Sequence, residues 1–161
     1  MSSKEKLTHI DERGRARMVD VSEKSETVRE AVAEGSVRML PETLRLIRDN
    51  ALEKGDALTV AQVAGIQAAK RTSELIPFCH PLPLEHISID FELDEEFPGV
   101  HIRATVRTTG KTGVEMEALT AVCVAALTIY DMAKSAEKGM VVGEIRLVRK
   151  TGGESGDYER D

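Results

Sequence analysis

Residues 109–134, TGKTGVEMEALTAVCVAALTIYDMAK, begin as a glycine-punctuated loop and continue as a long apolar helix carrying a few charges. Leu119, Val122, Cys123, Ala126, Leu127 and Tyr130 recur at three- and four-residue steps, which marks one buried helical face. The other face is hardly more polar, and a helix apolar nearly all round is normally buried. Against that background Glu115, Glu117, Asp131 and Lys134 are exceptions, and buried charge needs a partner or a task. At 100° per residue Glu117, Thr120, Thr128 and Asp131 fall on one stripe with Lys134 beside it. Glu117 and Asp131 are about 21 Å apart at 1.5 Å of rise per residue, too far for one small substrate to touch both. Either one end alone is functional, or the Asp131 end of one subunit meets the Glu117 end of another across an oligomer interface. The helix dipole accounts for acids at the start and for Lys134 and Lys138 at the end, but not for Asp131.

On the N-terminal side of this helix, Ile87, Ile89, Phe91 and Leu93 alternate with polar residues, as do Val100, Ile102, Ala104 and Val106. With a turn over 94–99 between them, the two runs read as a hairpin. On its C-terminal side, residues 143–150 alternate as a final strand and 151–161 form a glycine-rich tail. Periodicity alone leaves residues 27–39 open: Val28, Ala31 and Val32 suit a helix, whereas Val28, Val32, Val37 and Met39 suit a strand broken near Gly35. The strand is preferred. Pro41 sits where a first helical residue belongs, with Leu44, Ile47, Ala51 and Leu52 at helical spacing and Gly55 past the end. Thr59 and Gln62 make a capping-box signature for an alanine-rich helix that runs through Leu75. Pro77, Pro81 and Pro83 then hold Cys79 and His80 in an extended, stiff frame. Residues 18–21, MVDV, suit a short strand, and residues 1–17 read as a mobile or partner-docked arm. The order strand, helices, hairpin, helix, strand is the ferredoxin-like pattern. It implies an α+β fold with a four-stranded antiparallel sheet and helices packed on one face.

A chain of 161 residues supports one core, so residues 1–161 read as a single domain, with 1–17 and 151–161 as arms that are flexible or ordered by ligand. Aromatic residues are 3% and tryptophan is absent, which disfavours base stacking, and a net charge of -6 disfavours wrapping a polyanion. The expected partner is therefore a small molecule, with no nucleic acid. The charged N-terminus lacks the apolar core of a secretory signal, and no uninterrupted apolar run reaches the roughly 18 residues of a membrane span. A cytoplasmic protein with reduced thiols and no membrane association is expected.

Adjacent residues in an extended chain point to opposite sides, so Cys79 and His80 are poorly placed to share a metal ion or to act as nucleophile and base. No metal is assigned, and His80 is read as a donor to substrate. Cys123 is a small core residue. Lys54, Lys70, Arg71, Lys111, Lys134 and Lys150 flank glycines or helix ends, where ammonium groups and backbone amides hold phosphate oxygens. Residues 109–112, TGKT, lack the full P-loop spacing and the parallel sheet around it.

Residues 54–84, KGDALTVAQVAGIQAAKRTSELIPFCHPLPL, taken with 109–134, closely resemble the MoaC family of molybdenum cofactor biosynthesis, the cyclic pyranopterin monophosphate synthases. LTHID and MVDVS near the start and KTGGESGD in the tail extend the resemblance over nearly the whole chain. Phe78 stands where leucine is expected, and Gln62 where arginine is common. The resemblance implies a lyase converting 3′,8-cyclo-7,8-dihydro-GTP, the product of a radical GTP cyclase, into cyclic pyranopterin monophosphate with release of pyrophosphate. Carried over residue by residue, it makes Asp131 catalytic, places Phe78, Cys79, His80, Met116 and Glu117 against substrate, and puts Lys54, Lys134 and Lys150 in the same pocket. No cofactor is implied. It further implies a homohexamer, a trimer of dimers, with sites at subunit interfaces.

The residue types suit that chemistry. Ring opening and re-closure need proton transfers, for which a carboxylate and lysines of shifted pKa serve as acid and base. Lys54 and Lys134 are expected to move protons and Lys150 to steady phosphate. Two rivals come from other classes. A silent nucleotide sensor would tolerate loss of Asp131, and a purely structural oligomer would tolerate loss of His80 and Glu117.

Overall fold

The structure, a computed structural model, describes residues 9–11 and 13–161. Leu7 and Thr8 of the LTHID stretch, with the rest of 1–8, lie outside the described residues. The elements run β1 (Thr27–Arg38), α1 (Pro41–Arg48), α2 (Ala57–Lys70), α3 (Thr72–Leu75), β2 (His86–Asp94), β3 (Gly99–Gly110), α4 (Glu115–Ala133), β4 (Val141–Thr151) and β5 (Tyr158–Glu159). All the strands join one antiparallel sheet in the order β2-β3-β1-β4-β5. The fold is α+β, with five strands among the described residues rather than the expected four. The fifth pairs with β4 at Arg149 and Lys150 and is only two residues long, too short to show any apolar period.

The hairpin of β2 and β3 stands as read, in register from His86↔Arg107 to Asp94↔Gly99. Residues 27–38 form a strand, unbroken at Gly35; only the ladder to β4 shifts, between Val32 and Ala33 and again between Glu34 and Ser36. Putting Val28, Val32, Val37 and Met39 on one face required the break near Gly35, because a continuous pleated strand sends even and odd positions to opposite sides. Ala31, Ala33 and Val37 go into the core, while Val28 is 61% exposed. Residues 18–21 form no strand.

Several helix boundaries differ from expectation for local reasons. α1 stops at Arg48 because Asn50 adopts a left-handed φ of 52° and the Ala51 amide bonds the Leu46 carbonyl at 2.8 Å, turning the chain so that Leu52 enters the core. The cap of α2 is Asp56, whose carboxylate accepts from the Thr59 amide at 3.0 Å, so Thr59 and Gln62 make no capping box. Gln62 instead donates to the Ile89 carbonyl at 2.9 Å, tying α2 to the sheet. The long helix expected to run through Leu75 breaks at Arg71. A turn closed by the Cys79 amide on the Ile76 carbonyl follows, so the extended stretch begins after Phe78.

α4 lies across β1, β3 and β4, and α2 lies beside α4 and over β2. The two helices meet closely at Gly65, where a Cβ would fall 2.9 Å from the Ala121 carbonyl oxygen and 2.4 Å from Ile89 Cδ1. Gly65→Val is therefore expected to destabilise the fold by about 1–3 kcal/mol through overpacking, measured as a lowered urea midpoint with unchanged slope. α4 has the length and hydropathy of a membrane span, yet more than half of its apolar window is buried in the protein. Its buried face, Ala118, Ala121, Val122, Ala125, Ala126, Ile129 and Met132, keeps Val122 and Ala126 of the expected one but is rotated from it, leaving Leu127 60% exposed.

Candidate functional site

The expected site residues gather at the two ends of α4. At the C-terminal end, Asp131 holds one ammonium group on each carboxylate oxygen: Lys54 Nζ lies 2.8 Å from Oδ2 and Lys134 Nζ 2.7 Å from Oδ1. Lys134 comes from the same helix three residues on, and Lys54 from the turn that precedes α2. Lys54 Nζ also donates to the Asp131 carbonyl at 3.0 Å, taking up an acceptor at the end of the helix. The cluster is open to solvent, so the expectation of a buried Asp131 is corrected. Hydrogen bonds from Lys134 and then Lys54 hold its carboxyl down to about 2, and Asp131 in turn raises the Lys134 ammonium. For Lys134 that shift favours keeping its proton, which suits an acid or a fixed positive charge rather than a base.

At the N-terminal end, Phe78, Cys79 and His80 face Met116 and Glu117 around a hollow of about 450 Å³. Glu117 is only 4% exposed, and burial pushes its carboxyl up to about 7, with Glu115 adding to the rise. Burial, and after it Glu117, also raises the Cys79 thiol. Although adjacent, Cys79 and His80 both line this hollow. The His80 ring is already engaged, with Nε2 lying 2.7 Å from the Val19 carbonyl oxygen. Phe78 stacks on His9 with centroids 5.9 Å apart.

Lys150 lies in a smaller neighbouring hollow of about 160 Å³ that shares a wall through Lys24, Thr112, Gly113 and Glu115. Its Nζ is 3.1 Å from Glu115 Oε1 and 3.1 Å from Ser155 Oγ. Arg29 and Lys111 line the same space. The tail crosses here on two glycines, both at φ 88°, where a Cβ on Gly153 would sit 1.8 Å from Arg29 Nη1. Lys24 and Arg29 were missed from sequence. Arg29 has a signal in retrospect: it shares the inward register of Ala31 and Ala33 and is 8% exposed, a charge where a strand should be apolar.

Within the chain, then, Phe78, Cys79, His80, Met116, Glu117 and Lys150 come together, while Lys54, Asp131 and Lys134 stand apart at the far end of a helix 19 residues long. A larger hollow of about 560 Å³ lies on the open face of the sheet, but there Glu34 is already paired with Arg103 and Arg146, and Asp94 with His101. Volume does not make it the site.

The sequence model of the MoaC family matches residues 18–153. The chain belongs to the MoaC family. A protein of Roseiflexus sp. (strain RS-1) named cyclic pyranopterin monophosphate synthase is 62% identical over 155 residues, which cover 96% of this chain and 98% of that one. Proteins of the same name from Thermoanaerobacter pseudethanolicus and from Nostoc sp. (strain PCC 7120) are 63% and 59% identical, covering 96% and 94% of this chain and 98% and 90% of their own. The MoaC match takes in both ends of α4 and every expected site residue from Lys54 to Lys150, and leaves His9 outside it.

Proposed function

We propose that this chain is a cyclic pyranopterin monophosphate synthase, a lyase that converts 3′,8-cyclo-7,8-dihydro-GTP into cyclic pyranopterin monophosphate and pyrophosphate in molybdenum cofactor biosynthesis. The observation that carries the reading is Asp131 clamped between Lys54 and Lys134, 2.8 and 2.7 Å away. A carboxylate so held stays ionised, and the ammonium groups beside it can deliver protons or balance developing negative charge as rings open and close. Lys150, with Arg29, Lys24 and Lys111 around it, suits the triphosphate, whose charge must be held while pyrophosphate departs. Phosphate oxygens would take Lys150 from Glu115, and the glycine-rich tail would close over them. Phe78, Cys79, His80, Met116 and Glu117 then line the ring-system end.

A complete site needs both ends of α4, and the reading supplies them from two subunits of a homohexamer, a trimer of dimers. Its support is the apolar side of the helix layer left uncovered in one protomer, where Leu127 is 60% exposed, Val63 51% and Val60 44%. The same reading takes 1–161 as one ferredoxin-like domain, since β1 to β4 follow the β-α-β-β-α-β order and β5 is an addition at the edge. It also makes the protein cytoplasmic and dependent on a radical GTP cyclase for its substrate. Supplying the cyclised dihydro-GTP to purified protein should release pyrophosphate and the pterin product together. Recovery of bound but unchanged substrate would favour the sensor instead.

A further inference from the structure

One feature of the pocket wall belongs to neither end of α4. Val19, Val21 and His9 come from the chain before β1, yet they line the same hollow as Glu117. This segment folds on itself: Ile10 bridges Ala16, the Arg17 amide bonds the His9 carbonyl at 2.9 Å, and the Asp11 carboxylate accepts from the Arg13 and Arg15 amides. The folded segment is then tied to the body at three points. Phe78 and His9 stack with rings inclined by 19°, His80 Nε2 meets the Val19 carbonyl, and Lys111 Nζ donates to the Ser22 carbonyl at 2.8 Å. Phe78, at the end of the turn, and His80, just beyond it, both line the hollow and both reach this segment.

We propose that Phe78 and His80 latch the N-terminal segment over the substrate hollow, with His9 as the positioning residue whose ring, stacked on Phe78, keeps that wall in place. The stack is the releasable part, because it is a ring contact at the surface: Phe78 is 39% exposed. The Val19 carbonyl needs a donor, so in the latched state His80 presents an Nε2–H to it. The latch thus fixes both a wall of the hollow and the orientation of a ring that lines it.

The chain has no tryptophan, so His9→Trp places a single indole at the latch. Its fluorescence should be shielded from acrylamide, and adding Phe78→Leu in the same chain should raise the quenching several-fold. Equal quenching with and without the Phe78 ring would overturn the latch. The kinetic arm rests on the synthase reading: with the cyclised dihydro-GTP, His9→Ala should raise KM roughly 2- to 10-fold, with the loss falling on KM rather than kcat. His9→Phe, which keeps a ring to stack, should restore KM. An unchanged KM in His9→Ala would also overturn the proposal. A shielded indole in a protein that fails to turn over this substrate would leave the latch standing and remove the synthase reading.

Discussion

Asp131→Asn is expected to lower turnover of the cyclised dihydro-GTP by about 10²- to 10⁴-fold, the range typical of a lost proton-transfer group, with the fold intact. Asp131 is exposed and its side chain supports no core contact, so a folded but inactive protein is the natural outcome. The amide keeps the shape and removes the charge that holds Lys54 and Lys134 together. Lys134→Ala should act in the same direction, because it removes the group contributing most to the low Asp131 pKa. Pyrophosphate release, read beside circular dichroism of the same samples, separates loss of chemistry from loss of structure. Turnover of Asp131→Asn within a few-fold of wild type would mean that this carboxylate is not part of the reaction.

Glu117→Gln should stabilise the protein at alkaline pH and leave it unchanged in acid. Burial raises this carboxyl from 4.5 to about 7, so the folded state disfavours its ionised form. The group costs nothing below pH 4.5, where folded and unfolded chains are both protonated; stability is lost as pH rises through about 7, reaching about 3 kcal/mol once it is ionised in both states. Gln carries no such penalty. Urea unfolding of the two proteins at equal concentration should therefore coincide near pH 4.5 and separate by pH 8. A gap that is the same at both pH values would show that Glu117 is not a buried acid. The same residue is expected to lose activity when changed to Gln, so stability and function would move in opposite directions, as at strained or desolvated functional sites.

The elements that the sequence made legible are those whose side chains alternate or repeat against one neighbour. β2 and β3 alternate cleanly because one face of each meets the helices. β1 was harder to read because it is central and Val32 is buried outside the main core, so apolar residues appear at both parities. The true burial face of α4 was hidden because the helix is apolar nearly all round, and a pattern without a polar side cannot point inward. Caps and breaks depended on single residues, such as Asp56 taking the role given to Thr59. At the site, the Asp131–Lys134 pair followed from a three-residue step along one helix, whereas Lys54 joins them across 77 positions and only the family resemblance placed it there. The Phe78 departure from the family pattern has a structural counterpart in the stack on His9, a contact no local spacing encodes.

The distance between the two ends of α4 remains the central constraint, and co-expression of two damaged chains tests its resolution directly. His80→Ala spoils the N-terminal end and Asp131→Asn the C-terminal end, and each alone should be inactive. If every site takes one end from each of two subunits, random co-assembly rebuilds about a quarter of the sites with both ends intact, and the mixed oligomers should recover about a quarter of wild-type turnover. Mixed oligomers no more active than either parent would contradict a site shared between subunits.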